Sequence, residues 1–154
     1  MPFLHTKSNK LNYLTVAPTK SRSKETVINE IQRVTKMYKR RGFSVTKYHG
    51  DNEFECLHEF VNQTPVHIAA RDKHVGIVEQ SIRTMKERAR CYCQNTPFCK
   101  VPKVMIDYLL ELVNTNLNMY PAKTSVSETL SPAAIVMGTP KMEYNRLKLE
   151  YGAP

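Results

Sequence analysis

The apolar positions of this chain follow two periods, and the order of those periods predicts alternating strands and helices. Residues 3–8 and 11–16 read as short strands joined by a turn at Ser8-Asn9, the second stopped by Ala17-Pro18. Val27, Ile31, Val34 and Tyr38 then recur at helical spacing, with Ile28 and Met37 widening the stripe. Ser23 is the expected N-cap of this helix, Glu25 complements its dipole, and Gly42 supplies the stop. The alternating, β-branched run 43–48 predicts a strand, with Asp51-Asn52-Glu53-Phe54 as the turn after it. A short helix over 55–61 and a short apolar run over 66–70, strand or extended loop, follow before a polar break at Arg71-Asp72-Lys73.

The second half is more helical. Val75, Val78, Ile82, Met85 and Ala89 step by three and four over 75–90 and give one apolar face. Residues 101–119 are apolar nearly all round, through Val104, Tyr108, Leu109, Leu112 and Val113, which predicts a core helix entered at Pro102 and stopped by Pro121. After a polar loop, Ser131-Pro132 opens a last short helix that Gly138 and Pro140 end. A helix leading directly into a strand favours an α/β layout with the helix packed on a sheet.

At 154 residues the chain is one domain by length, large enough to bury a core. No apolar run reaches membrane-spanning length, since Asp107 and Glu111 interrupt the best one, and the N-terminus lacks the pattern of a signal peptide. An intracellular protein is expected. Charge is unevenly placed: residues 1–50 hold 11 basic against 2 acidic side chains, a surplus equal to the net +9 of the whole chain. Such a basic half suggests a polyanionic partner, nucleic acid first, although a solvated lysine-rich face is the plainer alternative. Lys39, Arg40 and Arg41, ending the first helix, could touch phosphate or simply complement the helix dipole. Cys91, Cys93 and Cys99 fit no zinc or redox spacing, so free thiols are expected rather than a structural zinc module.

Two carboxylates organise the middle of the chain. Asp51 follows the predicted strand 43–48, and Glu79 lies in the predicted helix 75–90. An acid at the end of a strand and another on a following helix can meet at a sheet margin and hold divalent cations. Each also has a simpler reading: Asp51 as a turn residue, and Glu79 as the i,i+4 partner of Arg83.

The segments His49-Gly50-Asp51-Asn52-Glu53-Phe54 and His74-Val75-Gly76-Ile77-Val78-Glu79-Gln80 resemble the second and third acidic motifs of retroviral and retrotransposon integrases. Ser131-Pro132 with Gly138 and Pro140 looks like a segment that often follows them, and Lys73-His74-Val75-Gly76 with Ile82-Arg83 and Lys86-Glu87-Arg88 is most similar to copia-type LTR retrotransposons. The resemblance spans residues 1–140 as a partial catalytic core, leaving 141–154 as a tail.

It implies an RNase H-like mixed sheet flanked by helices, and an Asp, Asp, Glu triad binding two Mg²⁺ or Mn²⁺ ions for DNA strand transfer. Asp51 and Glu79 would be the catalytic and metal-binding members. Arg83 and Lys86 would grip a DNA end by phosphate contacts, which position without reading sequence. DNA, as element ends and target, is the implied partner, with self-association of the intact protein, no membrane, and a nuclear or virus-like-particle location. The family's first aspartate lies on the first strand, whereas residues 1–50 contain none. The resemblance therefore implies an N-terminally truncated chain without that strand, with weak or absent metal binding and no activity alone. A non-catalytic basic nucleic-acid-binding module is the alternative.

Overall fold

The computed structural model describes residues 2–19, 21–60, 64–69, 76–96 and 100–138. The expectations placed on Val61, on Ala70 through the polar break to Val75, on Cys99 and Pro140, and on the tail 141–154 lie outside them. The elements run β1 (Phe3–Lys7), β2 (Leu14–Pro18), α1 (Lys24–Arg40), β3 (Tyr48–Gly50), α2 (Leu57–Phe60), β4 (Val66–Ile68), α3 (Gly76–Gln94), α4 (Lys103–Met119) and α5 (Pro132–Met137). The chain divides into two compact units, one of Met1–Leu4 with Ala17–Gln80, the other of His5–Val16 with Ser81–Pro154.

Among the described residues the strands pair as two two-stranded sheets, β1 with β2 and β3 with β4, where one mixed sheet was expected. The β1–β2 turn is wider than Ser8-Asn9: Ser8 N–H donates to Tyr13 O and Asn12 N–H to Ser8 O, at 2.9 Å each. Asn12 takes the left-handed φ of 53° that asparagine tolerates, so Leu11 belongs to the turn and β2 starts three residues later than its pattern suggests.

In the first unit, Ser23 caps α1 by accepting from Thr26 N–H, and the helix ends at Gly42, whose φ of +79° reverses the chain. Ile28 of α1 is buried with Cys56 and Leu57, and Ile31, Phe54 and Val66 pack on them. Residues 43–47 are not strand, contrary to their alternation. Extended pairing needs a partner, and β4 offers only three residues, so the parallel ladder is Tyr48–Val66, His49–His67 and Gly50–Ile68. Thr35 Oγ1 donates to Ile31 O and therefore accepts from the Tyr48 hydroxyl, both at 2.7 Å, which ties β3 to α1.

In the second unit, Met85 of α3 and Leu109 and Val113 of α4 form a buried cluster, joined by Val16, Ala89, Tyr92, Cys93, Leu110 and Leu117. Tyr92 and Cys93 extend α3 to Gln94, one turn beyond its sequence prediction, because packing holds that turn. α4 is not apolar-buried all round. The row Leu109, Val113, Leu117 faces the core, while Val104 and Tyr108, about 140–180° from the centre of that row, are 70% and 65% exposed. Ser131 caps α5 by accepting from Ala134 N–H at 3.1 Å, with Pro132 in the first helical turn and Gly138 in the left-handed region after it. Because Ser131 is buried, Ser131→Ala is expected to lower stability by about 1 kcal/mol, read as a shift of the denaturation midpoint at unchanged slope.

Candidate metal and nucleic-acid site

Asp51 stands directly after β3 and caps a single 3-10 turn over Asn52–Phe54. Its Oδ1 accepts from Glu53 N–H at 3.1 Å, so the turn reading of this residue is realised, and its side chain is exposed. Gly50 fixes where the turn begins. A Cβ there would lie 2.9 Å from Phe54 Cβ and 3.0 Å from two of its ring carbons, so only glycine lets Phe54 fold back over the end of β3. Phe54 in turn packs on the buried cluster of Ile28, Cys56 and Leu57. Arg22 approaches Glu53 at 3.9 Å on the exposed rim of the turn.

Glu79 occupies the first turn of α3, exposed, where a carboxylate complements the helix dipole. It belongs to the same compact unit as Asp51. Arg83 and Lys86 lie one and two turns further along α3, both exposed. Arg83 Nε donates to Glu87 Oε1 at 3.1 Å, so its ion pair runs forward to Glu87 rather than back to Glu79. Lys39 and Arg40 fill the last turn of α1 and Arg41 is its C-cap, all three exposed. Among the described residues no group of three or more His, Cys, Asp or Glu side chains could hold a metal ion, so a complete two-ion cage is not assembled from them. Cys91 is an exposed free thiol, and Cys93 a half-buried one that packs on the apolar cluster.

Two histidine features escaped the sequence patterns. His49 and His67 face each other across the parallel ladder with ring centroids 5.5 Å apart and planes tilted by 32°. Desolvation, then the Lys47 ammonium and the His67 ring, lower the pKa of His49 although its side chain reaches solvent. His5, half-buried on β1, shares a 2.8 Å hydrogen bond between Nε2 and the buried Ser81 Oγ. Burial first, and Lys7 second, push its pKa down to about 4. Strand alternation could have flagged His49 beside Asp51, since side chains two apart share a face. Nothing local could have paired His5 with a serine 76 residues away.

Among the described residues no helix is long and apolar enough to cross a membrane. The sequence matches no family model, and no curated protein is significantly similar to it. The class of fold is nevertheless defined: the chain is a mixed α/β protein whose fold is similar to that of an integrase catalytic core. The likeness is to the crystal structure of the catalytic core domain of BIV integrase, with a TM-score of 0.57 and 17% identity, covering 94% of this chain and 89% of that one.

Proposed function

We propose that this chain derives from the integrase catalytic core of a copia-type LTR retrotransposon, and that its partner is DNA. One observation carries the reading: Asp51 directly after β3 and Glu79 in the first turn of α3 belong to one compact unit of a chain with an integrase-core fold. In the proposed site both carboxylates face a hard divalent cation, Mg²⁺ or Mn²⁺, which prefers oxygen ligands. When bound in pairs, such ions stabilise the attacking and departing oxygens of phosphoryl transfer. The Glu53 N–H holds one oxygen of Asp51, which orients the carboxyl and leaves the other oxygen for the cation. Arg83, released from Glu87, and Lys86 would contact phosphates beyond Glu79 on the same helix.

Two carboxylates bind a divalent ion weakly, and residues 1–50 supply no aspartate to complete a triad. In a strand-transfer assay with Mg²⁺ or Mn²⁺, neither this chain nor Asp51→Asn is expected to show turnover. Turnover surviving Asp51→Asn would remove Asp51 from the proposed site.

A second reading, a non-catalytic nucleic-acid-binding module, is favoured by the exposed Lys39, Arg40 and Arg41 within the basic half. Replacing these three by glutamine is expected to weaken binding alike for unrelated DNA sequences and to shallow the log K against log[salt] slope by about 2–3. An unchanged slope would take α1 out of the interface. Arg83→Gln with Lys86→Gln tests the α3 surface in the same way, and a change there without one at α1 favours the integrase reading.

A further inference from the structure

We infer that His49 and His67 form a two-histidine site for a borderline divalent metal ion such as Zn²⁺, Ni²⁺ or Cu²⁺. The two residues are direct Cα partners in the β3–β4 ladder, so their side chains leave the same face at the same level. The backbone pairing thereby fixes where the two side chains leave the sheet before any ligand arrives. Two imidazoles bound to one tetrahedral ion at about 2.0–2.1 Å from each nitrogen place their ring centres roughly 5 Å apart. The observed 5.5 Å and 32° tilt match that spacing with little adjustment. Closer stacking would leave no room for an ion between the nitrogens, and a wider gap would force one ring to act alone.

Both side chains are exposed, so an ion can enter and both rings can turn about their side-chain torsions. Imidazole selects zinc, nickel and copper, whereas magnesium takes oxygen. Among the described residues no third His, Cys, Asp or Glu completes a cluster, so water would fill the remaining positions and the ion would exchange readily. This site is chemically distinct from the carboxylate pair of the proposed integrase reading and does not depend on it.

The test follows each imidazole of the full chain by nuclear magnetic resonance during a Zn²⁺ titration. The His49 and His67 rings are expected to shift together with one midpoint, while His5 and His58 stay in place. His67→Gln is expected to weaken zinc binding at His49 by at least about tenfold, because the second arm of a chelate acts at high effective concentration. In Asp51→Asn, which removes the neighbouring carboxylate, millimolar Mg²⁺ is expected to leave both rings unmoved. Separate midpoints, a shift at one ring only, or unchanged zinc affinity of His49 in His67→Gln would reduce the pair to a ring contact and overturn the site. Equal shifts with Mg²⁺ would overturn the assigned metal class.

Discussion

Asn118→Ala is expected to cost about 2–5 kcal/mol, a large share of the 5–15 kcal/mol typical of a folded domain. Asn118 is buried near the end of α4 and makes both hydrogen bonds that a neighbouring strand would make to Leu14. Its Oδ1 accepts from Leu14 N–H and its Nδ2 donates to Leu14 O, each at 2.8 Å. Truncation leaves two buried backbone groups without partners at the start of β2, and each carries a desolvation penalty of about 1–3 kcal/mol. Asn118→Asp keeps the acceptor but loses the donor and buries a charge, so at neutral pH it should be at least as damaging. The measurement is a urea or guanidinium midpoint by circular dichroism. A change within about 0.5 kcal/mol, the range of ordinary surface substitutions, would show that Asn118 does not hold the hairpin.

Acidification from pH 7 to pH 4 is expected to withdraw on the order of 3 kcal/mol of stability through His5 alone. Its folded-state pKa is about 4 against 6.5 for an ordinary histidine, because burial disfavours the imidazolium. Between those values the unfolded chain binds the proton and the folded chain does not, so stability rises with pH across that window and falls as pH drops through it. Above about pH 6.5 the ring is neutral in both states and the penalty vanishes. The buried Nδ1 has no partner among the described residues, so an added proton there would meet no acceptor. His5→Gln can still bond Ser81 but cannot titrate. Its stability should follow that of the unaltered chain above pH 7 and decline less steeply between 6.5 and 4. Parallel pH profiles for the two proteins would contradict a buried neutral His5.

The helices were legible because their evidence is local. The Val27–Ile31 stripe, the Ser23 and Ser131 caps and the Gly42 and Gly138 stops all lie within a few residues of the elements they define. Strand 43–48 misled for the complementary reason: alternation reports what a segment tolerates, while its partner decides whether it pairs. β4 provides three partners, and the ladder begins only at Tyr48. The row of Val104 and Tyr108 likewise looked buried because apolar residues surround the helix, and only packing revealed which row meets Met85.

For the candidate site, the sequence placed Asp51 at a strand end and Glu79 on a helix, and both positions hold. The turn bond to Glu53, the Arg83–Glu87 pair and the His49–His67 contact depend on side-chain geometry that spacing does not fix. The helical half of the fold was therefore readable from the chain, and the polar wiring of Asn118 and His5 was not.

Whether Asp51 and Glu79 share one cation is tested most directly by titrating Mn²⁺ into the isotope-labelled full chain carrying His67→Gln, which removes the imidazole pair. Manganese prefers oxygen ligands and broadens nearby amide resonances. The amides of residues 50–54 and 76–80 should broaden together at one Mn²⁺ midpoint, and Asp51→Asn should protect both segments. Broadening of one segment alone, or of both regardless of Asp51, would contradict a shared carboxylate site.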